Sequence, residues 1–190
     1  MWNIHDRWAI FISGRGSNLQ ALLDLSEGPR IALVVSSSPK ALGLVKAKRA
    51  GVRTLVLDSK IDWESLHRRL QSERINKIFL LGFMKIIPEQ FVALWSKKIL
   101  NIHPSLLPQF VGLHALEKSY ESKADIGVTV HEVIADLDAG PHVLQRKVLR
   151  GNELNHVDFK DCAMRVSFCE HQMVRESLLK WGGSCVAKAK

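Results

Sequence analysis

Trp8-Ala9-Ile10-Phe11-Ile12 is an apolar run of five residues, and Ser13-Gly14-Arg15-Gly16-Ser17-Asn18 follows it directly. Leu19, Leu22 and Leu23 then recur at helical spacing. A strand, a glycine turn and a helix in that order are the first half of a βαβ unit. Further along, the periodicity predicts strands at Ile31–Val35, Thr54–Leu57, Lys77–Leu81 and Ile99–His103. Between them it predicts helices at about Ala41–Arg49 and Asp62–Glu73, and another opened by Pro88. Gly51 closes the first of these, as a glycine just past a helix end does. Such alternation implies right-handed crossovers between parallel strands, hence an α/β fold with a doubly wound, mostly parallel, Rossmann-like sheet.

After His103 the rhythm changes. A proline-bounded loop, Pro104 to Pro108, leads to a predicted helix at His114–Ser122 and to strands near Gly127–Val133 and Val143–Leu149. A long C-terminal helix is expected from about Asn155 to Lys180. No internal repeat or long linker interrupts the pattern, so a single domain over residues 1–190 is expected, with a flexible tail at 182–190.

Composition narrows the class. Hydrophobic residues at 46% and charged residues at 24% match a globular chain and exclude a disordered one. No apolar run approaches the roughly 20 residues that span a bilayer. The N-terminus lacks the pattern of a signal peptide, so a cytoplasmic protein is expected. Cys162, Cys169 and Cys185 include no CxxC, which argues against a disulfide framework or a structural zinc site. Cys162 and Cys169 are seven apart and read as core positions on one helix face. The net charge of +8 would suit a phosphorylated ligand, an anionic membrane or nucleic acid. Its densest stretch, His67-Arg68-Arg69 through Arg74 and Lys77, also holds Glu64 and Glu73 and reads as a solvated helix face. No interleaving of aromatic and basic residues points to nucleic acid.

Two segments carry chemistry. In open α/β folds ligands bind beyond the C-terminal ends of the strands. There, Gly14 and Gly16 let the backbone approach an anion, while Ser17 and Asn18 can cap the helix that follows. The turn lacks the third glycine of a dinucleotide fingerprint and the Lys-Ser/Thr of a P-loop, so a single phosphate fits it better. At the second segment, Asn101 and His103 stand at i and i+2 on one face of a strand that Pro104 ends. The sharp loop Asp136-Leu137-Asp138-Ala139-Gly140-Pro141 offers an acid able to orient an imidazole and favour its charged form. His131 and His142 lie close by in sequence and read either as structural or incidental or as groups that support the catalytic residues from behind.

Asn101-Ile102-His103-Pro104-Ser105-Leu106-Leu107-Pro108, followed by Gly112-Leu113-His114, resembles the central motif of the glycinamide ribonucleotide formyltransferases. Ile12 to Leu19 resembles their phosphate loop, Leu81-Gly82-Phe83-Met84-Lys85-Ile86-Ile87 their folate-site loop, and Leu137 to Pro141 their aspartate loop. These segments come in the family's order and span about residues 8 to 181. The resemblance implies a phosphate-binding half at about 8–100 and a folate and catalytic half at about 101–181. It implies transfer of a formyl group from 10-formyltetrahydrofolate, as co-substrate and without a metal, to the amine of glycinamide ribonucleotide in purine biosynthesis. Asn101, His103 and Asp138 would be catalytic. Gly14, Arg15, Gly16, Ser17, Asn18, Pro104 and Glu170 would hold the ribonucleotide. The folate would lie against Met84, Lys85, Ile86 and Ile87, Asn101, and the loop Val133, Ile134, Ala135, Asp136, Leu137 and Asp138. The implied partners are these small molecules, with neither nucleic acid nor membrane, and the implied state is a monomer or homodimer.

The chain departs from that pattern at three positions. Val111 stands where the family often has proline, Trp63 where some relatives have an arginine near the folate tail, and Lys85 where arginine is frequent. Two other formyl-handling families share the Ser-Leu-Leu-Pro type of loop. Methionyl-tRNA formyltransferases carry a further RNA-binding domain and formyltetrahydrofolate deformylases an N-terminal regulatory one, and neither is expected here. A non-catalytic binding module would keep the pocket without the trio of Asn101, His103 and Asp138.

Overall fold

In the computed structural model, residues 6–26 and 28–183 are described. The predicted tail lies outside them from residue 184 onward, as does Cys185. Seven strands form one sheet: β1 (Arg7–Ile12), β2 (Arg30–Ser36), β3 (Arg53–Val56), β4 (Lys77–Leu80), β5 (Ile99–His103), β6 (Ile126–Glu132) and β7 (His142–Leu149). Six α-helices accompany them: α1 (Ser17–Leu23), α2 (Leu42–Arg49), α3 (Trp63–Ser72), α4 (Glu89–Leu94), α5 (Ala115–Glu121) and α6 (Phe159–Gly183). The strand order is β3-β2-β1-β4-β5-β6-β7. The first five strands run parallel, and β6 and β7 are antiparallel to their neighbours. The order reverses between β1 and β4, which opens a crevice beyond their C-terminal ends.

Side-chain alternation along β1 divides the core in two. Trp8, Ile10 and Ile12 pack with α1, α2 and α6, while Ala9 and Phe11 pack with α3 and α4 on the other face. Cys162 and Cys169 are buried on α6 within the first of these cores. Arg68 and Arg69 stay exposed and pair with Glu64 and Glu73, so the basic stretch is the solvated face its charges suggest. Trp63 turns inward, edge-on to Phe91 at 5.0 Å between α3 and α4.

The two ends of the described chain meet across the sheet. The ring of Trp181, on α6, lies 5.8 Å from that of the buried Trp8. Its Nε1 donates to Glu132 Oε1 at 3.0 Å, and the Lys77 ammonium sits 4.0 Å from the ring centre.

Two local expectations need correction. Helix α6 begins at Phe159, not Asn155, because the Asp158 carboxylate accepts the Asp161 N–H at 2.8 Å and caps the helix there. The preceding Gly151–Asn155 is a separate 3₁₀ turn, closed where the Arg150 N–H donates to the Glu153 carboxylate. Neither Ser17 nor Asn18 caps α1. The capping position is Gly16, in the left-handed region at φ 66°, and no side chain bonds the helix start. A Cβ on Gly16 would stand 2.7 Å from Gly43 Cα, so the turn has room for hydrogen alone against the start of α2.

Candidate active site

Three parallel strands end at one cleft of about 900 Å³. From β1 comes the turn Gly14–Asn18, from β4 the loop 82–87, and from β5 the side chains of Asn101 and His103. The loop after β6, residues 133–138, forms another wall, and Glu170 of α6 reaches in beside Asn18. Every residue to which the sequence assigned a catalytic or binding role lines this cleft. Trp63 and His142 do not line it, and Val111, Gly112 and Leu113 lie on a loop of which Gly112 and Leu113 contribute to the wall.

Asp138 gathers a cluster of Asn101, His103 and His131. The loop that carries it folds back so tightly that a Cβ on Gly140 would collide with the Glu132 carbonyl. Asp138 itself has φ 52°, a left-handed conformation that Asp tolerates better than most residues. Its Oδ2 accepts the Gly112 N–H at 2.9 Å and lies 3.5 Å from His103 Nδ1. Its Oδ1 accepts from Asn101 Nδ2 at 3.2 Å and lies 3.4 Å from His131 Nε2. Burial pushes the carboxyl upward, but His131, the Gly112 N–H and the charge of His103 outweigh it and hold the acid at about 2.

The other groups are fixed from behind. His103 Nε2 donates to the Phe110 carbonyl at 2.9 Å, which leaves Nδ1 toward Asp138. The loop bearing Phe110 is held in turn. Ser105 Oγ donates to the Gln109 carbonyl, and Thr129 Oγ1 to the Ser105 carbonyl, each at 2.7 Å. Gln145 Nε2 donates to the Leu107 carbonyl at 2.8 Å. His131 Nδ1 donates to its neighbour's carbonyl, Glu132 O, at 2.9 Å, and its Nε2 stands 3.2 Å from Asn101 Nδ2. His131 is therefore part of the cluster, the second of the two readings its sequence position left open. Strand period carried a signal for it, since Thr129 and His131 share one face of β6 and His131 pairs with Asn101. Nothing in the sequence marks the Phe110 carbonyl.

The Asn101 amide nitrogen thus has two hydrogens and two neighbours, Asp138 Oδ1 and His131 Nε2, both at 3.2 Å. A developing oxyanion bound there would take over one of them. At the other end of the cleft, Asn18 Nδ2 donates to Glu170 Oε2 at 3.2 Å, while Asn18 Oδ1 is buried without a hydrogen-bond partner among the described residues. Burial raises the Glu170 carboxyl to about 7, and the bond from Asn18 only partly offsets it. This end offers backbone N–H groups, an orphan acceptor and a carboxyl that titrates near neutrality.

Residues 6–178 match the family described as formyl transferase. The chain is 39% identical to part of the human trifunctional purine biosynthetic protein adenosine-3, over 90% of this chain, and spans 18% of that protein's length. It is 38% identical to the phosphoribosylglycinamide formyltransferase of Escherichia coli (strain K12), over 73% of this chain and 71% of that one. Among solved structures, phosphoribosylglycinamide formyltransferase from Anaplasma phagocytophilum matches with a TM-score of 0.85 at 39% identity, over 91% of this chain and 85% of that one. No described helix is long and apolar enough to cross a membrane. With the family match running through every strand of the sheet, and relatives of that activity similar in both sequence and fold, the chain belongs to the formyl transferase family.

Proposed function

We propose that this chain transfers the formyl group of 10-formyltetrahydrofolate to the amine of 5'-phosphoribosylglycinamide, releasing tetrahydrofolate and formylglycinamide ribonucleotide. The observation that carries the reading is the single cleft, in which the glycine turn, the 82–87 loop and the Asn101, His103 and Asp138 cluster open onto one another. The Gly14–Asn18 turn suits a phosphate, and Arg15 adds a charge of the right sign. Asn18 Oδ1 and Glu170 offer acceptors to a ribose or glycinamide donor. The exposed Met84 and Ile86, facing Leu137 and the backbone of 133–138, suit a flat apolar ring with polar edges.

The amine nitrogen bonds to the formyl carbon, the bond from that carbon to the folate nitrogen breaks, and one proton passes from amine to leaving nitrogen. Asn101 and His103 stabilise the oxygen that becomes negative on the way, and His103 is placed to relay the proton. Asp138 keeps the imidazole oriented and balances its positive charge. The same reading makes the protein a cytoplasmic enzyme of small molecules, working as a monomer or homodimer without nucleic acid.

Deformylation of the folate co-substrate, followed by absorbance with and without the ribonucleotide, tests it. Turnover that requires the ribonucleotide is expected. Equal turnover without it would make the protein a hydrolase of formyl-folate, and binding without turnover would make it a binding module.

A further inference from the structure

Ser13 stands between the two ligand loops. Its Oγ accepts the Met84 N–H at 2.8 Å and lies 2.6 Å from Ser37 Oγ. The Ser37 N–H in turn donates to the Ile12 carbonyl at 3.1 Å, which builds the hydroxyl pair into the ends of β1 and β2. One half-buried hydroxyl therefore joins the loops that follow β1, β2 and β4. On its chain side, Gly14 begins the glycine turn. Across the Met84 bond lies the 82–87 loop, whose Phe83 packs edge-on against Phe11 at 5.3 Å while Met84 and Ile86 remain 63% and 84% exposed. Among the described residues, the bond from Met84 to Ser13 is the hydrogen bond that ties the backbone of this loop to the rest of the fold.

The geometry points to Ser13 as a positioning residue that couples the anion end of the cleft to the folate end, an inference that rests on the function proposed above. A serine hydroxyl has two lone pairs and one hydrogen. With the Met84 N–H on one lone pair and the Ser37 hydroxyl as its second partner, the oxygen is held between the two loops from both sides. An anion that draws in the N–H groups of Gly14–Asn18 steadies the adjoining Ser13, and a steadied Ser13 holds Met84. Filling one end then lowers the ordering cost at the other, and the coupling is reciprocal. Neither ligand touches Ser13 in this scheme, so the effect shows as linkage between two affinities.

Amide hydrogen exchange of the free protein, with and without inorganic phosphate, reads the coupling directly. Phosphate is expected to slow exchange at 14–18 and also at 82–87 in the native chain. Ser13→Ala should keep the first effect and lose the second, with Ser37→Ala intermediate. In parallel, the tetrahydrofolate Kd of Ser13→Ala should rise about three- to ten-fold, the range one hydrogen bond commands, and the ribonucleotide Kd by less than about two-fold. Phosphate protection at 82–87 that survives Ser13→Ala would overturn the proposal, as would no protection in the native chain or equal weakening of both ligands. A protein that shows Ser13-dependent protection yet transfers no formyl group would retain the coupling and lose the proposed reaction.

Discussion

Asp138, buried, and Glu170, half-buried, are carboxyls of the same cleft, yet Asp138 is set among two imidazoles, an amide and a backbone N–H, whereas Glu170 meets one amide. The first is held at about 2 and the second raised to about 7. Burial acts upward on both, so the density of donors and positive charge around each acid decides the outcome. The Asp138 end of the cleft keeps a fixed negative charge over the physiological range. At the Glu170 end, charge can change with pH or with an arriving ligand.

The contrast breaks most visibly at the fixed end. His103→Ala and Asp138→Asn should each lower kcat about 10²–10⁴-fold in steady-state assays. Because the pair acts as a unit, the double variant should lose little more than the worse single one. Additive losses would show that Asp138 works independently of the imidazole.

A sharper test lies at the adjustable end. Glu170→Gln should weaken ribonucleotide binding about ten-fold near pH 8, where the native carboxylate is charged. By about pH 6 the native group is protonated and resembles the amide, so the gap measured by calorimetry should close. A ratio unchanged over that range would mean that Glu170 does not titrate where its surroundings place it.

The same two acids leave opposite marks on stability. Asp138 falls from 3.8 in the open chain to about 2, so its stabilising share is present above 3.8 and lost as pH falls toward 2. Glu170 rises from 4.5 to about 7, so the folded form holds the proton more tightly and stability declines as pH climbs between those values. Melting curves across pH should therefore flatten between 4.5 and 7 in Glu170→Gln, and below about 4 in Asp138→Asn. In the glycine turn, Gly16→Ala should cost about 1–3 kcal/mol in denaturant unfolding, from its left-handed backbone and the contact with Gly43. Arg68→Ala, far from either acid, should move stability by less than about 0.5 kcal/mol and leave kcat alone.

What the sequence disclosed follows the range of the interactions involved. Unbroken apolar runs in β1, β2 and β4, and glycines where backbone must turn, are local signals, and they placed the parallel half and its glycine turn. Asn101 and His103 were readable as a same-face pair for the same reason. The place of His131 stayed open in the sequence because it depends on pairing with Asn101, 30 residues away in the chain. The protonation of Glu170 was invisible because it depends on what α1 and α6 exclude from around it. The start of α6 was misplaced because Leu154 continues the apolar pattern, while the Asp158 cap that interrupts it is a single polar bond.

The contact between Trp8 and Trp181 has a consequence for synthesis. Trp8 is made well before Trp181, and its strand lies inside the sheet between β2 and β4. The face of its indole that Trp181 covers stays open until residue 181 has been made, after every strand is complete. A nascent chain therefore carries that open aromatic face from the making of β1 until its last described helix closes it. Chaperone binding to stalled chains should persist until codon 181 has been read and should end soon afterwards.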